Sequence, residues 1–193
     1  MHLTARFCEA LDYAVKLHGA QVRKGSGTPY VAHLLAVAAI ALEHGADEDE
    51  AIAALLHDAV EDQGGAPTRD EIRRRFGPRV AAIVDGCTDS DTAAKPPWRE
   101  RKEKYLAHLP TADASVRLVS AADKLHNVRS ILHDYRMLGE TVWERFSGGK
   151  HGTLWYYREV SAVLVRVSPG PLVDELERAV HELERLAGDE ERA

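Results

Sequence analysis

The sequence predicts an all-α fold. Aromatic residues make up only 6% of the chain while Ala, Leu, Val, Glu and Arg are abundant, a balance that favours helices packed through aliphatic side chains over a β-sandwich. Apolar residues recur at three- and four-residue spacing in most segments. Glycine and proline cluster at the breaks, where they stop one helix before the next begins.

Taken in order, Thr4 caps a first helix running to about His18, with Phe7, Leu11, Ala14, Val15 and Leu17 as its apolar stripe, and Gly19 stops it. Residues 21–29 hold two glycines, a proline and the basic pair Arg23-Lys24, and read as an irregular loop. A second helix covers Tyr30 to Glu43. Asp47 caps a third, with Ile52, Leu55, Leu56 and Ala59 facing the core, which runs unbroken to Gly64-Gly65. Thr68 and Glu71 have the spacing of a capping box for a short helix ending at Gly77-Pro78. Another helix spans roughly Arg79 to Thr88, and the polar stretch 89–97, with Pro96-Pro97, reads as a loop. A basic amphipathic helix begins near Trp98, and Asp113 starts a long one through Val119, Leu125 and Ile131. A short helix around Thr141–Phe146 precedes Gly148-Gly149, and residues 152–167 carry the next apolar stripe. Pro169-Gly170-Pro171 separates this body from a charged amphipathic helix ending near Leu186. The division expected is therefore a domain over 1–168 and a C-terminal helical appendage over 169–193, whose apolar face docks on the body or on a partner helix.

A hydrophobic content of 45% and a charged content of 29% describe an ordinary globular protein. The net charge of −6 argues against a nucleic-acid partner, which needs a positive surface, yet leaves room for a small phosphorylated substrate held by local cations. Cys8 and Cys87 lie far apart in helical patterns and read as isolated thiols. The start of the chain has no apolar signal core, and no stretch nears the ~20 apolar residues that span a bilayer, so the expected location is cytoplasmic with no membrane partner. A homo-oligomer stays open.

The strongest chemical signal is Leu55-Leu56-His57-Asp58-Ala59-Val60-Glu61-Asp62, four ionisable residues closing an apolar helix. On a continuous helix His57 stacks on Glu61 and Asp58 on Asp62. Alone, such a His-Asp pair reads as a satisfied core histidine beside solvated acids. Two further positions alter that. His33 sits on the second helix just after the basic loop, and Asp123 interrupts the long apolar helix with Asn127 four residues on. A core-facing acid asks for a partner. His33, His57, Asp58 and Asp123 together offer four ligands from three helices, a set suited to a divalent metal with open coordination positions.

In that order these residues resemble the HD-domain metal-dependent phosphohydrolases. More narrowly, Arg23 to His33, Ala54 to Asp62, Phe76-Gly77 and Ala122 to Arg129 resemble the hydrolase domain of the Rel/SpoT enzymes and the stand-alone small alarmone hydrolases, across residues 5–165. The resemblance implies an HD-type helical bundle, one manganese ion, and hydrolysis of guanosine carrying a 3′-diphosphate to pyrophosphate and GDP or GTP. It implies Glu61 and Asp62 as the pair that handles the attacking water, with Arg23, Lys24 and Asn127 around the nucleotide and Ser130 as a companion. The stretch Thr88 to Pro97 lacks the Thr-Lys element of the long enzymes and looks more like the stand-alone forms. The far phosphates then fall to candidates among Arg99, Arg101, Lys102, Lys150 and Tyr156. Trp143, Trp155 and Tyr157 read as core, His126 as a structural hydrogen-bond partner, and His18 and the other histidines as surface or loop residues. Another nucleotide phosphate, such as NADPH or a nucleoside monophosphate, and a non-catalytic nucleotide sensor are the alternatives. The 193 residues leave no room for a synthetase domain, so the expectation is degradation and not synthesis.

Overall fold

The computed structural model describes residues 2–89 and 96–188. Its α-helices are α1 (Ala5–His18), α2 (Val31–Glu43), α3 (Glu48–Leu56), α4 (Ala59–Asp62), α5 (Ala66–Phe76), α6 (Pro78–Cys87), α7 (Trp98–His108), α8 (Ala114–Leu138), α9 (Gly149–Val167) and α10 (Pro171–Ala187). Two short 3₁₀ segments, Leu109–Thr111 and Gly139–Arg145, flank α8. The described residues contain no strand beyond a single bridge between Val22 and Pro29, which pinches the basic loop. None of their helices is long and apolar enough to cross a membrane. Most of the stretch expected as a loop at 89–97, and the end of the appendage at 189–193, lie outside the described residues.

Helix α8 is the central post. Val119, Ala122, Leu125 and Val128 are fully buried along it, with α2, α3, α6, α9 and α10 packed around it. Alanines on α2 and α3 (Ala38, Ala41, Ala51, Ala53 and Ala54) let these helices approach closely and hold the metal-ligand candidates near α8. The Pro-Gly-Pro break turns the chain so that α10 docks on α8 and α9, burying Leu172, Val173, Leu176, Val180 and Leu183. Each such aliphatic side chain contributes roughly 1.5–3 kcal/mol on full burial. The edges are stitched by Arg129–Glu175 and Arg158–Glu184, each at 2.5 Å.

Four local expectations change. The helix expected to run unbroken through Leu55–Asp62 is interrupted at His57-Asp58, where Asp58 takes φ −96°, ψ −2°, in the sparsely populated bridge region frequented by active-site residues. Thr68 is no capping residue: its hydroxyl donates to the Gln63 carbonyl at 2.5 Å, and α5 starts earlier, after Gly64 and Gly65 at positive φ. The buried face of α1 is Ala10, Tyr13, Ala14 and His18, while Val15 is exposed. His18 is therefore no surface residue: it hydrogen-bonds Gln21 at 2.7 Å and stacks on Tyr30 with ring centroids 5.4 Å apart.

Candidate active site

The break between α3 and α4 brings His57 and Asp58 against His33 on α2 and Asp123 on α8. Ligand atoms of His33, His57 and Asp58 lie within 4.8 Å of one another. Asp123 Oδ1 joins them at 3.3 Å from His33 Nε2 and 3.6 Å from His57 Nε2.

The hydrogen bonds around this cluster fix which atoms face inward. His57 Nδ1 donates to the Ala54 carbonyl at 2.8 Å, leaving Nε2 to face Asp58 Oδ2 at 3.0 Å. That buried Nε2 has no hydrogen-bond partner among the described residues. His33 Nδ1 meets His126 Nδ1 at 2.8 Å, which turns the His33 Nε2 toward the carboxylates, so His126 positions a candidate ligand from outside. Imidazole nitrogens and carboxylate oxygens thus converge on one point, an arrangement that suits a divalent cation.

The electrostatics carry the same message. Burial would push the Asp58 and Asp123 carboxyls up, but the facing histidines, with Lys124 beside Asp123, hold both well below the usual carboxylate range. Burial would lower His57, yet Asp58 and Asp123 hold it well above the ordinary imidazole range. The cluster therefore takes up positive charge, and a metal ion would take the place of a proton there.

A layer of donors supports these ligand candidates, and of it the sequence pointed to Asn127 alone. Tyr30 donates its hydroxyl to Asp58 Oδ2 at 2.6 Å. Lys124 and the Asn127 amide donate to the two oxygens of Asp123, both at 2.5 Å. The adjacency of Tyr30 to the basic loop, one helical turn before His33, was the available signal for Tyr30. Nothing in sequence pointed to Lys124, which reads as a surface lysine on an amphipathic helix.

Two confluent cavities open from the cluster. The inner one, of 260 Å³, is lined by Asp58, Asp123, Lys124, Thr153 and Tyr156. The outer one, of 500 Å³, is lined by Arg23, Lys24, Ser130 and Arg101 among others. Glu61, Asp62, Lys102, Trp98 and Asn127 border both. Arg23 donates to Asn127 Oδ1 at 2.9 Å, so residues 104 positions apart form one wall of the outer cavity. Glu61 accepts from the Asp89 backbone at 3.3 Å and lies 3.7 Å from Arg101; Asp62 accepts from Gln21 at 2.8 Å. Arg101 and Lys102 both reach Asp89 Oδ2, at 2.5 and 2.7 Å.

Two candidates for the far phosphates lie elsewhere. Lys150 bonds Glu140 at 3.1 Å and the Ala187 carbonyl at 2.6 Å, neutralising the C-terminal end of α10, and lines neither cavity. Arg99 stacks over Trp155 at 3.3 Å and pairs with Glu103.

The family model for the HD domain matches residues 10–154. Guanosine-3′,5′-bis(diphosphate) 3′-pyrophosphohydrolase MESH1 of Xenopus tropicalis is 41% identical over 130 residues, 66% of this chain and 70% of that protein. Its Homo sapiens counterpart is 38% identical over the same span. A solved structure described as a metazoan ortholog of SpoT that hydrolyzes ppGpp superposes with a TM-score of 0.79 at 28% identity, covering 95% of this chain and 98% of that one.

Proposed function

This chain belongs to the HD-domain family, and from that premise we propose that it hydrolyses guanosine 5′-(di/tri)phosphate 3′-diphosphate alarmones, (p)ppGpp, to pyrophosphate and GDP or GTP. The single observation that carries the reading is the join between the His33, His57, Asp58, Asp123 cluster and an outer cavity walled by Arg23 and Asn127. The curated relatives above are named for this reaction.

The four clustered side chains would hold one divalent ion, manganese in our reading. When bound, the ion supplies polarisation of a phosphoryl oxygen and a lowered pKa for a water molecule. The protein residues do the rest. Glu61 and Asp62, next to Asp58 on the cavity rim, orient the attacking water and take its proton. Because they act as neighbours, the base role belongs to the pair. Water adds to the phosphorus carried by the ribose 3′-oxygen, that P–O bond breaks, and the 3′-oxygen leaves with a proton.

Arg23 presents a planar guanidinium to the nucleoside and Lys24 a point charge, while Asn127 and Ser130 offer hydrogen bonds to the sugar. Arg101 adds a positive charge on the rim of the outer cavity, and Tyr156 lies on the wall of the inner one. Residues 1–168 form the phosphohydrolase domain in this reading and 169–193 its appendage. The test is a panel of guanosine alarmones, NADPH and nucleoside monophosphates with manganese. Pyrophosphate released from the alarmones is expected; phosphate from NADPH with none from the alarmones would reject the substrate assignment.

A further inference from the structure

The inner cavity has an acidic part and a cationic part, which meet at the contact between Asp123 and Lys124. One carries Asp58 and Asp123 and suits a cation. The other is built around Tyr156 on α9. The Lys102 ammonium lies 4.8 Å from the centroid of the Tyr156 ring and the Lys124 ammonium 5.9 Å from it. Both lysines line the cavity, so two ammonium groups share one partly enclosed space. Each already has a carboxylate partner, Asp89 for Lys102 and Asp123 for Lys124. Each has N–H donors to spare, since an ammonium carries three.

Tyr156 adds a second and independent observation. It is only 4% exposed, it lines this cavity, and its hydroxyl has no hydrogen-bond partner among the described residues. A phenylalanine would fill the same space without leaving a buried hydroxyl unserved, a defect that typically costs ~1–3 kcal/mol. Such a group in a cavity wall beside two ammoniums is a donor awaiting an anion. Thr153, one helical turn earlier on α9, places another hydroxyl on the same wall.

We propose that Lys102, Lys124, Tyr156 and Thr153 form the subsite for the terminal phosphoryl group of the 3′-diphosphate, and that this subsite makes the enzyme prefer a 3′-diphosphate to a 3′-monophosphate. The inference rests on the substrate reading above and deepens it. With the inner phosphoryl at the acidic, cation-binding end, the terminal phosphoryl extends toward the lysines, and the nucleoside lies in the outer cavity. A 3′-monophosphate reaches the cation but leaves the lysines and Tyr156 without a partner. After cleavage the same contacts hold pyrophosphate until it departs.

The test is binding of inorganic pyrophosphate, with orthophosphate as control, by calorimetry on the whole protein, metal-free and with one equivalent of manganese. Tyr156→Phe keeps the ring beneath both lysines and removes only the hydroxyl. Lys102→Met keeps the aliphatic stem and removes the charge. Each should weaken pyrophosphate by ten- to a hundredfold, the range for a hydrogen bond to a charged group (about 1.5–3 kcal/mol), and orthophosphate by less than twofold. The ligand-free Tm of Tyr156→Phe should not fall, because the hydroxyl has nothing to lose. Unchanged pyrophosphate affinity, equal losses for both anions, or a lowered Tm for Tyr156→Phe overturns the subsite. If the native protein binds pyrophosphate through Tyr156 yet releases none from the alarmones, the substrate reading falls and the subsite stands. If it hydrolyses the alarmones while Tyr156→Phe binds pyrophosphate unchanged, the reverse holds.

Discussion

Replacing Asp58 by alanine should separate metal binding from every other property of the fold. The Asp58 carboxylate touches Tyr30 at 2.6 Å, His57 Nε2 at 3.0 Å and His33 Nε2 at 3.6 Å, so it is the hub of the cluster. A cation present at a hundred times its dissociation constant stabilises the native state by about 2.7 kcal/mol. For a chain of this size roughly 1 kcal/mol moves the Tm by about 2–4 °C, so saturation should raise the Tm by about 5–11 °C. Loss of one of four ligands, taken as a hundredfold drop in affinity, leaves the same cation concentration at one dissociation constant. The stabilisation then shrinks to about 0.4 kcal/mol, a rise of about 1–2 °C. Differential scanning fluorimetry of native protein and Asp58→Ala across a manganese titration reads this directly. The quantity compared is the metal-dependent increment, so the hydroxyl of Tyr30 left unpaired in both arms of the variant cancels. A variant that keeps the full rise refutes the ligand assignment, and with it the account of why two histidines and two acids converge.

The remaining predictions follow from neighbouring contacts. Tyr30→Phe removes the only hydroxyl bonded to Asp58 among the described residues and should weaken manganese by ten- to a hundredfold, as outer partners of metal ligands do; an unchanged titration curve would make Tyr30 a packing residue alone. Glu61→Gln combined with Asp62→Asn should preserve the manganese-dependent Tm rise while lowering kcat by ~10²-fold or more. Equal loss of metal binding would instead place that pair in the ligand set. Arg23→Ala should raise KM by about tenfold with a smaller change in kcat, because Arg23 meets Asn127 in the outer cavity and touches no cluster atom. Burial pushes the Cys87 thiol up to about 11, so near pH 8 only about one molecule in a thousand carries its thiolate. Native alkylation at pH 8 followed by mass spectrometry should label the exposed Cys8 and spare Cys87, with Cys87 reactivity rising toward pH 11.

Helix order was legible because each stop signal is local. Thr4, Asp47 and Asp113 all cap the helices expected of them, through side-chain acceptance from Arg6, Glu50 and Ser115. The long helix after Asp113 and the docked face of α10 follow from apolar periodicity alone. What escaped depends on tertiary contact. Tyr30 bonds a residue 28 positions away, and Arg23 one 104 positions away, so no window of local pattern contains either pair. Lys150 illustrates the converse. Its place after a glycine pair resembled a phosphate contact, but the end of α10 competes for the same ammonium and holds it.

The interruption at His57-Asp58 joins these two kinds of information. Ile52, Leu55, Leu56, Ala59 and Val60 are all buried, so the apolar pattern runs straight through the break and gives no sign of it. On an uninterrupted helix consecutive side chains diverge by about 100°, which would point His57 and Asp58 to different neighbours. Ending α3 at Leu56 and starting α4 at Ala59 lets Asp58 reach His57 at 3.0 Å while Glu61 and Asp62 come to the cavity rim. The bend gathers acids that repel one another. Packing of α3 on α6 and α8, and of α4 on α5 and α6, holds that arrangement in place, and the cation that the cluster calls for offsets the repulsion. The residues that form the cluster are therefore written in the sequence, but the geometry that makes them one site comes from a local departure from the helix they belong to.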